Sequence, residues 1–306
     1  MNILIIGGAG FIGSHIAERY QKLGHQVIIV DSLVSGKKEN IPDDARFINM
    51  DIRDRRLEDI FRQYQIDAVN HHAAQMNVRK SVSNPGWDAD INIIGSLNVM
   101  RCAVQSQVKK FIFSSSGGTV YGEQDYFPAD ENHPRRPLCP YGVAKLAVEN
   151  YLYYFYKNNG MSYVILRYAN VYGARQNPFG EAGVVAIFID HYLRGLSPTI
   201  NGDGKQTRDY VHVSDVVQAN ELALLKVDRD ILNVGTGKET TVLEINEKIL
   251  LHLKSSIRET FGPAKKGEQK RSVLDICRFQ SRYGWNPRVL LSDGLKNTIG
   301  YFINKV

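Results

Sequence analysis

Cysteine is scarce in this chain: three residues in 306, at positions 102, 139 and 277. An odd number so widely spaced provides neither a disulfide framework nor the paired spacing of a structural zinc site. Histidine is also sparse, with eight residues and no HExxH pattern, and the pair His71-His72 closes an apolar run where packing is the simpler role. No metal is expected. Long hydrophobic runs are missing too. No stretch approaches the roughly 18 to 20 consecutive apolar residues of a membrane span, and Met1 to Ile6 leads straight into glycine without a basic signal region. The expectation is a cytoplasmic protein with no membrane partner.

Charge of one sign is not concentrated. The 38 Lys and Arg face 32 Asp and Glu, and the longest basic clusters, Lys265-Lys266 and Lys270-Arg271, are too short for a nucleic-acid tract. No nucleic acid is expected, while a formal charge of +6 suits a small anionic ligand. What the chain does have, 43% hydrophobic and 23% charged residues, suffices for one sizeable core and a smaller lobe.

Short β-branched runs alternate with helix-like segments through the first half: Ile3 to Ile6, Val27 to Val30, Phe47-Ile48, Ala68-Val69, Phe111 to Phe113 and Val164 to Leu166. Runs apolar on both faces and separated by helices predict an α/β fold, a Rossmann-type doubly wound parallel sheet. After Tyr172 glycine-rich loops interleave with helical stretches such as Val184 to Leu193 and Asp215 to Leu225. The division expected is a dinucleotide-binding domain over 1–172, to which the chain returns around 208–235, and a smaller substrate lobe over 173–306 at the carboxyl edge of the sheet, where such sheets bind ligands.

Directly after the first strand, Gly7, Gly10 and Gly13 precede an amphipathic helix through Leu23. Glycines so placed permit a tight turn, close approach of backbone to a pyrophosphate and close helix-to-strand contact. The second strand ends in Asp31, 21 residues beyond Gly10, where a carboxylate would accept both ribose hydroxyls of NAD and repel the 2′-phosphate of NADP. NAD is the expected cofactor. Tyr141 and Lys145 lie four apart, on one helix face. A phenol titrates near 10, so as a base at neutral pH it needs an adjacent ammonium to stabilise its anion. Upstream, the strand Phe111 to Phe113 runs into Ser114-Ser115-Ser116 at the same edge, where a hydroxyl can share a hydrogen bond with a substrate oxygen. Ser116 is the first choice, and Ser115 and Thr119 remain alternatives because Gly117-Gly118 loosens the register.

The start Gly-x-x-Gly-x-x-Gly followed by Ser and Tyr-x-x-x-Lys resembles the extended short-chain dehydrogenase/reductase family. Gly7 to His15, Ala73 to Arg79, Ser114 to Gly122, Tyr141 to Lys145, Arg167 to Gly173 and Gly202 to Val211 are similar to its NAD-dependent epimerase/dehydratase branch, in particular the UDP-glucose 4-epimerase group. That resemblance implies a nucleotide-sugar 4-epimerase: an isomerase that keeps its NAD bound, acts on a UDP-hexose through a transient 4-keto sugar, and works as a homodimer. It implies cofactor contacts from Phe11, Ile12, Asp51, Ile52, Ala73, Ala74, Asn92 and Tyr168, besides Tyr141 and Lys145. For the nucleotide-sugar it implies Asn170, Arg208 and Tyr210, with Lys265 and Glu268 where the family carries Arg and Asp, and Ser272 as a small gate beside the sugar's 2-substituent. Relatives that dehydrate or decarboxylate the sugar carry an acid just after the catalytic hydroxyl, where this chain has Gly117, Gly118 and Thr119. A UDP-uronate 4-epimerase, a dehydratase and a reductase are the rival enzymes, and a non-catalytic NAD-binding sensor is the rival of another class. The broad apolar surface of the helix from Tyr141 (Leu146, Val148, Tyr151, Leu152, Tyr154, Phe155) is wider than burial against one sheet requires and fits the dimer.

Overall fold

The computed structural model describes residues 1–179, 183–264 and 269–305. Its main element is a seven-stranded sheet, parallel throughout, ordered from edge to edge Asp230–Val234, Ser162–Tyr168, Lys110–Ser116, Ala68–His71, Asn2–Ile6, Gln26–Asp31 and Arg46–Asn49. All six runs read as strands lie in it. Alternate residues of each strand enter different cores. Ile3 and Ile5 pack with the helices Phe11–Lys22 and Val213–Leu225, whereas Leu4 and Ile6 share a cluster with Val148 and Leu152 of the helix Pro140–Asn159. Burial on both faces explains why these runs are apolar without alternation.

Strand order reverses between Asn2–Ile6 and Ala68–His71, the switch point beyond whose carboxyl ends such sheets bind ligands. The glycine turn leaves one of these strands and the loop 72–77 leaves the other. A third core holds the smaller lobe together, with Phe188, Ile189, Ile245, Ile249, Leu295 and Ile299 from the helices Val184–Leu193, Val242–Leu253 and Leu291–Ile303. Late in the chain, the helix Cys277–Tyr283 packs back on the sheet domain, where Phe279 stacks on Trp285 at 5.1 Å inside the first core. No periodicity in the sequence announces that return, because its buried apolar contact comes from one short helix and one indole, with Ile276 and Tyr283 partly buried beside them. Among the described residues no helix is long and apolar enough to cross a membrane, and no group of three or more His, Cys, Asp or Glu side chains could hold a metal ion.

Candidate active site

The glycine turn is built so that nothing larger fits. Gly7 has φ +81°, and a Cβ on it would lie 2.5 Å from the backbone nitrogen of Ala73; one on Gly13 would lie 2.3 Å from the carbonyl oxygen of Gly7. Gly10 caps the helix Phe11–Lys22 in an extended conformation and offers no side chain to bond its first amides. The amide groups at Phe11 and Ile12 therefore stand at the positive end of a helix dipole, a ready anion site.

Asp31 closes its strand with a buried carboxylate, one oxygen accepting from the amide of Ala9 at 3.0 Å and the other from that of Leu33 at 2.8 Å. Each oxygen keeps a lone pair for a hydroxyl. Asp51 is more exposed and holds Arg53 with both oxygens, at 2.9 and 2.7 Å; Ile52 is buried against Gly95. Ala73, with Ala74 beside it, starts a loop whose amide hydrogen bonds to Ile6 hold it against the first strand. Asn92 is buried, and its amide is committed to Gln75 (2.8 and 2.9 Å) and Asp88 (3.0 Å), so it fixes that loop's shape.

At the next strand the pleat sorts the three serines. Ser115 donates to Glu149 at 2.5 Å beneath the sheet edge, and the Ser114 carbonyl accepts from Lys145 Nζ at 2.9 Å. Ser116, one residue on, points the opposite way from Ser115 and lies in register with Tyr168. Its hydroxyl bonds no other described residue. A Cβ on Gly117 would come within 2.5 Å of the Leu274 side chain, which would have to move, whereas one on Gly118 would meet only Asn170 Oδ1, at 3.9 Å. Thr119 packs against Gly142, and its Oγ1 is buried without a partner.

Lys145 is 4% exposed, with its ammonium 4.7 Å from the ring centre of Phe113 and 5.7 Å from that of Tyr141. Burial pulls it down to about 8, against the opposing charges of Asp88 and Glu149. Burial likewise pushes the Tyr141 phenol well above its ordinary value, assisted by the charges of Cys139 and Asp88. Working as a base, Tyr141 depends on cations beside it. Tyr168 is buried, its hydroxyl bonded to Asn220 at 2.8 Å and to His72 at 3.1 Å. His71 bonds Ser96 at 2.9 Å, so both histidines of the pair are built into the sheet edge.

Three of the residues expected to hold a nucleotide-sugar, Asn170, Arg208 and Tyr210, lie on two short strand pairs. The strand Asn170–Tyr172 pairs in parallel with Tyr210–His212, setting Asn170 opposite Tyr210, and the antiparallel pair Thr207–Arg208 with Thr240–Thr241 follows. The guanidinium of Arg208 is half-buried and donates to the carbonyl of Thr207 at 2.7 Å. Ser272 is buried next to Val273, whose amide donates to Gln124 Oε1 at 3.2 Å, and Arg271 on its other side lies 3.9 Å over the Phe127 ring. Lys265 and Glu268 lie outside the described residues.

Three contributors escaped the sequence reading. Asp209 sits inside a quoted motif, but only the fold reveals its buried carboxylate gathering the amide and hydroxyl of Thr236 (2.8 and 2.6 Å) and the amides of Gly237 (3.1 Å) and Leu274 (3.4 Å). It ties the strand of Arg208 and Tyr210 to the segment of Ser272. Arg175 straps the lobe to the cofactor-side helix through Ser14 (3.1 Å) and Glu18. Asp88, which no motif marks, is buried behind Tyr141 and Lys145. His72 Nδ1 and Thr119 Oγ1, on segments that follow strands of this edge, are buried without partners. Such atoms are costly unless a ligand serves them, and together with the glycine cradle they fit a polar dinucleotide and its co-substrate.

Residues 3–235 match the model of the NAD dependent epimerase/dehydratase family. Among solved structures, the chain superposes on a UDP-glucose 4-epimerase of Thermotoga maritima with UDP-glucose, at TM-score 0.98 and 46% identity, covering 100% of this chain and 99% of that one. It is similar to the UDP-glucose 4-epimerase of Thermus thermophilus in complex with NAD (TM-score 0.96, 40% identity, 100% of each chain). It is also similar to the UDP-N-acetylglucosamine 4-epimerase of Methanobrevibacter ruminantium in complex with UDP-N-acetylmuramic acid (TM-score 0.94, 35% identity, 100% of this chain and 99% of that one).

Proposed function

From the premise that the chain belongs to the NAD dependent epimerase/dehydratase family, we propose that it is a UDP-hexose 4-epimerase that keeps NAD bound and works in the cytoplasm, where its three free cysteines stay reduced. One observation carries this reading. Ser116, Tyr141 and Lys145 are set around the carboxyl edge between a glycine cradle and the Asn170–Tyr210 ladder, in a chain that matches UDP-sugar 4-epimerases from end to end.

Gly7, Gly10 and Gly13 with the amides of Phe11 and Ile12 would hold the pyrophosphate of NAD, Asp31 its adenine ribose, and Lys145 with Tyr168 its nicotinamide end. Asp51 and Ile52 would flank the adenine, and Ala73, Ala74 and Asn92 would line the middle. When bound, NAD supplies an acceptor, and afterwards a donor, for the hydride of sugar C4. Tyr141, as phenolate, takes the proton of the C4 hydroxyl and later returns it, while the Lys145 ammonium stabilises its anion. Ser116 hydrogen-bonds the C4 oxygen as its charge develops. Asn170 and the Arg208 guanidinium hold the diphosphate, with Tyr210 nearby, Lys265 as a second cation on it and Glu268 accepting from hydroxyls of the nucleotide-sugar, so the 4-keto sugar can turn over and present its other face. Dehydration is disfavoured because Gly117, Gly118 and Thr119 supply no carboxyl where such chemistry uses one.

The test is to incubate the protein separately with UDP-glucose and UDP-N-acetylglucosamine, resolve the C4 epimers by NMR and follow reduced cofactor. Galacto epimer without accumulating NADH is the expected result; no epimer from either sugar, or stoichiometric free NADH, overturns the reading. Ser272 offers little bulk, so the N-acetyl sugar should turn over at a rate comparable to that of UDP-glucose, and its exclusion would remove Ser272 as the gate. A Gly13→Ala chain should retain roughly tenfold less NAD through gel filtration, since its methyl meets backbone that cannot step aside; dinucleotide released on denaturation measures this.

The same proposal makes the enzyme a homodimer. Val143, Tyr151 and Tyr154 form one exposed stripe on the helix Pro140–Asn159, 39 to 54% accessible, and exposed Ile94 lies on the π-helical stretch packed beside it. Apolar surface of this kind marks a contact face. Sedimentation should give the mass of two chains, and Tyr151→Glu with Tyr154→Glu should give one; a monomeric parent would dismiss the dimer.

A further inference from the structure

Asp88 takes no part in the chemistry above, yet it is 1% exposed on the helix Pro85–Ala89, which packs across the helix Pro140–Asn159. Its Oδ1 accepts from Gln75 Nε2 at 2.7 Å and from Asn92 Nδ2 at 3.0 Å, while its Oδ2 is buried without a partner. Asn92 in turn holds the amide and carbonyl of Gln75, and Gln75 Oε1 accepts from the amide of Asn77 at 2.5 Å. Backbone and side chain of Gln75 are thus fixed from one side. Two residues earlier Ala73 touches Gly7, and the helix Val78–Ser83 that follows accepts the Tyr141 amide on Ser81 Oγ at 3.3 Å. The segment 73–83 therefore spans from the glycine turn to the start of the catalytic helix, with Asp88 behind it.

We propose that Asp88 is a positioning residue of the reaction centre: its carboxylate fixes Gln75, and with it the loop against the glycine turn, and sets a buried negative charge behind the helix that carries Tyr141 and Lys145. The inference rests on Tyr141 and Lys145 being the base and its partner. Lys145 needs such a counter-charge, because burial favours its neutral form and the other carboxylate acting on it, Glu149, is spent on Arg167 at 2.6 Å. Tyr141, Lys145 and Cys139 are the titratable groups facing Asp88, and Lys145 also faces Glu149, His71 and His72. Arg79 and Lys80 of the neighbouring helix are exposed. The arrangement has a cost, since the same charge opposes ionisation of the Tyr141 phenol.

Asp88→Asn removes the charge and keeps the shape. Lys145 should then lose its proton at lower pH, and the Tyr141 phenol should ionise at lower pH, so both limbs of the kcat profile move down by about one pH unit. Ultraviolet difference titration against Tyr141→Phe reads the phenol directly, without sugar or turnover, so the inference can fail while epimerase activity stands, and the reverse. Limbs and tyrosine titration both unmoved in folded Asp88→Asn protein would reduce Asp88 to a packing residue and overturn the proposal. Should that variant not fold, Gln75→Leu carries the test: it loosens the loop but leaves the charge. Retained NAD should then fall several-fold with the tyrosine titration unmoved; full NAD retention, or a moved titration, overturns the proposal.

Discussion

Replacing Tyr141 by phenylalanine is expected to lower kcat by roughly a thousandfold, the order of effect for removing a positioned general base. The fold should not notice. The phenol oxygen bonds no other described residue, and the ring keeps its place in the face Tyr141 shares with Lys145, so melting temperature and retained NAD should match the parent. This separation makes the variant informative, because loss of turnover with cofactor in place isolates the proton transfer. A Tyr141→Phe enzyme keeping more than about a tenth of the parent kcat would require another base. Lys145 does not offer so clean an experiment. Its ammonium is buried, bonds the Ser114 carbonyl at 2.9 Å and lies over the Phe113 ring, so removing it opens a hole at the end of the strand bearing Ser116. A larger loss at Lys145 than at Tyr141 would therefore combine chemistry with geometry.

Tyr141 and Lys145 were legible in the sequence because their relation is local: four residues apart on a helix means one face. The glycine turn was legible for the same reason, and Asp31 because it ends the strand that pairs with the first. Strand pleat, also a local rule, separates Ser115 from Ser116 once the register is known; Gly117-Gly118 blurs that register in the sequence, and only the fold reveals the buried Glu149 that accepts from Ser115. Asp88, Asp209 and Arg175 are another matter. Each would pass for a solvated charge, and its role exists only where distant segments meet: Asp209 with Thr236 and Leu274, Arg175 with Ser14 and Glu18, Asp88 with Gln75 and Lys145. No periodicity carries such information, because burial of a charge is decided by what the fold brings to cover it.

The same holds for the largest stability effect expected in the chain. Arg167 and Glu149 form an ion pair with side chains 0% and 2% exposed, joined at 3.0 and 2.6 Å. Glu149 also accepts from Ser115, while Arg167 donates to the Tyr121 hydroxyl at 3.0 Å and the Glu131 carbonyl at 3.3 Å. Glu149→Ala leaves the buried guanidinium without its counter-charge and should destabilise the protein by about 3 to 5 kcal/mol, read from the midpoint of urea unfolding. Arg167→Met should cost a similar amount by stranding the carboxylate. Joining Arg167→Met to Glu149→Leu removes both charges, and much of the lost stability should return, because a buried pair gains little over apolar residues of similar volume. Activity should not return with it. Ser115 and Ser116 are consecutive on one strand, and Tyr121 closes the turn that follows, so the pair holds Ser116, the hydroxyl proposed to act on the sugar, in place from beneath. A double variant that regains both stability and kcat would show that packing alone sets Ser116, and single variants within about 1 kcal/mol of the parent would show that the pair is not closed to water.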